Sequence, residues 1–272
     1  MKDHFQRLFS DQTKIEYWDS VYDQQDSSAT FLKQRMSQTL MWLDGVYLSR
    51  TSKILDAGCG SGRLARELSE RGYAVFGLDY SYGMLEKANS IGNRQGKRNV
   101  ELLQGDVELM PYRDSSFDMI ICLGVISYLK SEEKALNEFA RVLKPGGIMI
   151  ISIINKFRLV KQLDLPLFLR DRLRRVFRKS IGIHKQKTAE VNNDSNLTTY
   201  SIPSMRKSLQ LRRLTVLDYI TIPLEVLTLF GRDILPKNIA IKMAEFIDKL
   251  SNIPIVGSFG GMCIFKVKKE PL

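Results

Sequence analysis

The chain holds only two histidines and three cysteines in 272 residues. His4 stands near the amino end and His184 inside a basic stretch, so no histidine pair has the spacing of a metal site or a catalytic couple. Cys59, Cys122 and Cys263 are far apart and odd in number, which fits reduced thiols in a cytoplasm and excludes a disulfide framework or a cysteine metal cluster. No stretch approaches the roughly 18 uninterrupted apolar residues needed to span a bilayer. The opening MKDHFQRLFS has no apolar export core. The sequence thus predicts a chain without an export signal or a membrane span. It does have the means to bury one good core with room for an addition, being 44% hydrophobic.

Lys53 to Leu64 reads KILDAGCGSGRL. A short apolar β-run ends at Asp56, and Gly58, Gly60 and Gly62 follow at alternate positions before a helical pattern resumes at Arg63. Glycine at every second position suits a tight strand-to-helix turn in which a ligand lies against bare backbone. The helix behind it offers free N–H groups and the positive end of its dipole. The dinucleotide pattern GxGxxG/A fails from Gly58, where Arg63 takes the last position. From Gly60 it is met by Gly62 and Ala65, leaving Asp56 and Gly58 without a role. An ordinary βα turn is a third reading. The pattern DxGxGxG accounts for all four residues.

Four more pieces follow. Tyr73 to Leu78 is a second β-run ending at Asp79, where a carboxylate can take both hydroxyls of a ribose; the competing reading is a helix cap, since a helix begins at Ser81. Val100 to Gln104 is a third run, followed by Gly105 and Asp106. Ser116 to Leu129 holds a buried fourth strand, and Arg141 to Ile153 a helix end, a Pro-Gly-Gly turn and a fifth strand. Apolar strands alternating with helices predict a parallel sheet covered on both faces. Asp56, Asp79, Asp106 and the Leu123-Gly124 pair all fall at carboxyl ends of strands, where such sheets hold ligands.

In order and spacing these five pieces resemble the five motifs of class I S-adenosylmethionine (SAM) methyltransferases, and most of all the broad small-molecule branch that includes quinone-biosynthesis methyltransferases. The resemblance covers roughly Thr51 to Ile154. It implies an α/β, Rossmann-like, seven-stranded sheet, mostly parallel with an antiparallel last strand, with helices on both faces; the segment between strands 5 and 6, about Asn155 to Arg213, departs from the family by being longer than a single crossover helix and reads as a helical insertion. The organisation it suggests is N-terminal helices over the site at 1–50, the cofactor-binding core at 51–155, a basic amphipathic insertion at 156–199, and strands 6 and 7 of the same core at 200–272. The activity implied is methyl transfer from SAM to a small-molecule or lipid-like acceptor. By resemblance the cofactor contacts are Arg35, Asp56, Gly58, Cys59, Gly60, Gly62, Asp79, Tyr80, Met84, Asp106, Val107 and Leu123. Arg35 would meet the SAM carboxylate, Asp79 the ribose and Tyr80 the adenine face. Asp106 would accept from the adenine amino group, and Val107 would bond the ring edge through its backbone. The helical stretch Lys14 to Asp44 would lend Tyr17, Trp18 and Tyr22 to the acceptor pocket.

Lys156 to Lys187 is the compositional break, with eleven Lys and Arg against Asp164 and Asp171, an excess of +9 out of +11 for the whole chain. With Pro166 near a helix start, Leu165, Leu169, Leu173, Val176 and Phe177 share one helical face and Arg170, Arg174, Arg175 and Arg178 the other. Such a helix can lie on an anionic membrane surface or pack its apolar stripe on the core with its arginines in water. Thr188 to Thr199 reads as a polar loop, Leu214 to Thr221 and Gly261 to Val267 as strands, and Asn238 to Leu250 as a helix. No nucleic acid is expected as partner, because CLGVISYL after strand 4 lacks the Pro-Pro-aromatic turn of enzymes that methylate base amino groups. An NAD-dependent dehydrogenase and a SAM-binding module without catalysis are the alternatives. Ser127, Tyr128 and Tyr200 can line an acceptor pocket and His184 is a weak candidate base, so no catalytic residue is assigned. No metal and no oligomeric state follow from the sequence. The expected location is the cytoplasm, with the basic stretch able to reach a membrane surface.

Overall fold

Between residues 53 and 154, apolar strands and amphipathic helices alternate, so each strand can return parallel to the last with a helix laid over the sheet. The computed structural model describes residues 11–24, 27–94, 100–156, 197–222, 228–229, 232–233 and 261–271. Its elements are α1 (Gln12–Ser20), a 3₁₀ turn (Val21–Asp23), α2 (Ser27–Asp44), β1 (Lys53–Ala57), α3 (Arg63–Glu70), β2 (Ala74–Asp79), α4 (Tyr82–Arg94), β3 (Val100–Gln104), β4 (Phe117–Cys122), α5 (Glu133–Val142), β5 (Leu143–Ile154), α6 (Ile202–Gln210), β6 (Leu214–Ile222) and β7 (Met262–Lys269). A two-residue pair, Thr228–Leu229 with Arg232–Asp233, stands apart.

The seven strands form one sheet in the order β3-β2-β1-β4-β5-β7-β6. β1 to β5 pair in parallel, and β7 runs antiparallel to both neighbours, inserted between β5 and β6. Strand alternation sends successive residues to opposite faces. Leu55, Ile120, Met149 and Ile151 pack with Leu136, Phe139 and Val142 of α5 on one face. Ile54, Met119, Ile121 and Ile150 pack with Leu64, Ala65 and Leu68 of α3 and Trp42 and Leu43 of α2 on the other. The order in which successive strands are laid down reverses between β1 and β4, which opens a crevice at their carboxyl ends.

Three local readings change. The helical stretch over 14–44 divides into two helices at the 3₁₀ turn, where the Val21 side chain is fully buried. The expected Pro-Gly-Gly turn is a bulge within β5: the partner of β4 jumps from Leu143, opposite Phe117, to Ile148, opposite Met119, and Gly146 takes φ 76° to make the detour. The last strand begins at Met262 and runs to Lys269. The basic stretch beyond Lys156 and the expected helix at 238–250 lie outside the described residues. The two ends of the insertion are nonetheless placed. Lys156 N donates to Tyr200 O at 2.8 Å, Tyr200 N to Ile154 O at 3.0 Å, and Thr198 N to Ser127 O at 2.8 Å. The insertion therefore leaves and rejoins the sheet at the carboxyl ends of β4 and β5, the edge that carries the candidate site. Among the described residues no helix is long and apolar enough to cross a membrane, and no acidic, Cys or His cluster could hold a metal. All three cysteines are buried and free.

Candidate cofactor-binding site

The β1–α3 turn is built on left-handed backbone: φ is 80° at Gly58, 55° at Gly60 and 75° at Gly62. Only glycine takes such angles cheaply. Gly58 is also held by space, since a Cβ there would come within 2.1 Å of Val125 Cγ2. Gly58 N and Cys59 N both donate to Leu78 O, at 2.6 and 3.1 Å. Gly60 N donates to Asp79 Oδ2 at 2.8 Å, and Ser81 N to Asp79 Oδ1 at 2.8 Å. The Asp79 carbonyl receives Gly105 N at 2.9 Å. One residue thus ties together the loops after β1, β2 and β3. Each carboxylate oxygen has a second acceptor position, so these bonds leave Asp79 able to take hydroxyl donors. The helix cap next to it is Ser81, whose Oγ accepts Met84 N at 3.3 Å.

Asp56 and Arg35 are the two buried charges of the crevice, 3% and 9% exposed. Asp56 Oδ2 and Arg35 Nε have no hydrogen-bond partner. Burial, and then the charge of Asp79, push the Asp56 carboxyl up to about 7, while Arg35 and the Ala65 N–H oppose the shift. Burial also raises the Asp79 carboxyl, against the N–H groups of Ser81, Gly60 and Tyr80. Arg35 reaches the strand ends from the middle of α2. Its Nη2 donates to Tyr22 Oη at 3.1 Å, and Nη1 lies where a Cβ on Gly124 would be only 2.6 Å away. Gly124 N in turn donates to Ser152 Oγ on β5 at 2.8 Å.

Residues 55–151 match the family described as methyltransferase domain. Over this segment the chain is similar to SAM-dependent methyltransferase domains. Three similar proteins place it further. A protein of Encephalitozoon cuniculi assigned to the methyltransferases is 36% identical over 136 residues, 48% of this chain and 59% of the relative. The demethylmenaquinone methyltransferase of Renibacterium salmoninarum is 31% identical over 121 residues, 43% of this chain and 49% of the relative. The magnesium protoporphyrin IX methyltransferase of Synechocystis, solved with bound S-adenosylhomocysteine (SAH), superposes with a TM-score of 0.63 at 16% identity, over 99% of this chain and 100% of that one. The chain spans about half the length of the curated relatives it matches.

The fold gathers the remaining expected contacts unevenly. Asp106 and Val107 follow β3: Asp106 Oδ1 accepts Glu108 N at 2.9 Å, and Val107 is buried. Tyr80 is 41% exposed beside Asp79, Met84 is buried in α4, and Leu123 is half-buried at the end of β4. Cys59 turns its sulfur onto Gly77, where a Cβ would lie 3.0 Å from Sγ, and burial raises its thiol well above the ordinary range. It therefore packs the turn, with its thiol directed at β2. Tyr17 and Trp18 meet edge to face at 5.5 Å, both half-buried on α1. Ser127 Oγ accepts Ile154 N at 3.1 Å, and Tyr200 is buried with its hydroxyl unpartnered. An open depression of about 780 Å³ between α2 and α3 is lined by Lys33, Met36, Leu40, Arg63 and Arg71, and by none of Asp56, Asp79 or Asp106.

Two contributors had no signal in the sequence. Ser152 stands in an apolar strand pattern and becomes a site residue only because β5 pairs with β4. Arg63, which counted in the sequence only as a mismatch to the dinucleotide pattern, bonds residues 40 and 44 positions earlier.

Proposed function

We propose that this protein is an enzyme that transfers the methyl group of SAM to a small-molecule acceptor. The observation that carries the cofactor side is the pair of buried, unpartnered polar atoms, Asp56 Oδ2 and Arg35 Nε. Leaving such atoms unpaired is costly, and a ligand bearing an ammonium and a carboxylate would satisfy both. The amino-acid end of SAM has these two groups. Asp79 has acceptor capacity for the ribose hydroxyls, and Tyr80, Asp106 and Val107 stand beside it for the adenine. When bound, SAM supplies a methyl group already activated by the sulfonium charge. The chain's part is to align acceptor and methyl at the ends of β4 and β5, and orientation of this kind can supply much of a displacement rate. No base is assigned.

Names of relatives favour a small acceptor: one acts on demethylmenaquinone, and a structural neighbour on magnesium protoporphyrin IX. The charge excess at 156–187 supports access from an anionic membrane surface, and the insertion's ends flank the site. Calorimetric titration tests the cofactor assignment. SAM and SAH are expected to bind the wild type, and Asp79→Ala to weaken both at least about tenfold while the protein stays folded. Binding of NAD with no heat from SAH would sink the reading.

A further inference from the structure

Arg63 opens α3 directly behind Gly62, yet its guanidinium reaches away from the glycine turn to the segment between α1 and α2. Nη2 donates to Asp23 Oδ1 and Oδ2 at 3.0 and 2.9 Å and to Asp19 O at 3.3 Å. The group lies 4.9 Å from the centroid of the Tyr22 ring. The pair with Asp23 is largely exposed on the carboxylate side, 70%, so it contributes little by itself. The placement of the guanidinium over the Tyr22 ring is the more specific contact. Tyr22 is therefore touched twice. Its face carries Arg63, and its hydroxyl accepts from Arg35 Nη2 at 3.1 Å.

Arg35 is thereby held at Nη2 by Tyr22, its Nη1 occupies the space that a side chain on Gly124 would fill, and its buried Nε is left without a partner. A long, flexible side chain held in one orientation before the ligand arrives loses less freedom on binding. We infer that Tyr22 and Arg63 are positioning residues: Tyr22 sets the Arg35 guanidinium for the carboxylate of bound SAM, and Arg63, placed over the ring, holds Tyr22 in place. This rests on the SAM reading above. It couples the contacts of Asp19, Tyr22 and Asp23 with α3 to recognition of the amino-acid end of the cofactor. Ile15 against Gly83 and the Lys87–Asp19 pair at 3.4 Å dock the same segment onto α4, so loss of the relay leaves the segment attached.

The experiment compares two ligands by calorimetry. SAH has the carboxylate; 5′-methylthioadenosine keeps the adenine, ribose and sulfur and lacks the amino-acid end. Tyr22→Phe retains the ring and removes the acceptor for Arg35, while Arg63→Lys retains the charge and removes the planar guanidinium. Each is expected to weaken SAH roughly three- to tenfold and to leave methylthioadenosine unchanged. In an Arg35→Gln background, Tyr22→Phe is expected to add nothing, because both act through the same group. Equal losses for the two ligands would assign Tyr22 and Arg63 a merely structural role, and unchanged SAH binding would also overturn the relay. A wild type that binds neither ligand would instead remove the cofactor reading, and the relay with it.

Discussion

Asp56 shows how one buried carboxyl can couple binding to pH. Its folded value is raised from the ordinary 3.8 to about 7, so between these two values the folded chain holds a proton that the unfolded chain has lost. Stability from this group therefore falls as pH rises through that window and levels off above about 7. Asp79, raised by burial, acts in the same direction. In the unliganded protein, Asp56→Asn is expected to gain melting temperature relative to wild type as pH rises from 5 to 8, with little difference at the acid end. The bound ammonium needs the ionised carboxylate, so SAH affinity of the wild type should rise with pH through about 7 and that of the variant should not. Calorimetry at several pH values checks both. At this scale the sequence was legible where function and neighbours are close along the chain: Asp56 and the three glycines sit within seven residues of each other, and their positive φ values follow from the spacing. Arg63 and Tyr22 were not legible in the same way. A cation on an aromatic face is a distance, and nothing in local composition encodes it.

Among the elements, α5 illustrates support delivered from outside the site. Arg141 in its last turn donates to Met110 O at 3.0 Å, Tyr112 O at 2.6 Å and Asp114 Oδ1 at 2.9 Å, while Glu138 Oε2 receives Met110 N at 2.6 Å. The hydrogen bond from Arg141 holds the Glu138 carboxyl below the usual range. The loop that presents Asp106 and Val107 is thus pinned to a helix. Arg141→Ala should lower stability by about 2 kcal/mol and weaken SAH binding through that loop, measured by thermal melts and titration. Helix and strand identities in the core were readable from period and apolar content. The break at Val21–Asp23 and the bulge at Pro145–Gly147 were not, because each answers a tertiary demand: one buries Val21, the other lets β5 re-register against β4.

For the whole molecule, the open question of the acceptor centres on the insertion. Its charge is a fact of sequence, and its two ends are fixed beside β4 and β5. If it brings the protein to its acceptor, wild type should co-float with vesicles containing anionic lipid and stay behind with neutral ones. Changing Arg170, Arg174, Arg175 and Arg178 to Glu should abolish flotation, with SAH binding retained. Flotation with neither kind of vesicle would direct the search to acceptors free in solution. Strand order along the chain, the glycine turn and the acids at strand ends were determined by the sequence alone, because each depends on residues a few positions apart. The tertiary structure alone decided the rest. It buried Asp56 and Arg35 in one crevice and slid β7 between β5 and β6. It also let Tyr22 reach two arginines that are distant from each other in sequence. These contacts arise from packing between segments, and only the folded chain brings those segments within bonding distance.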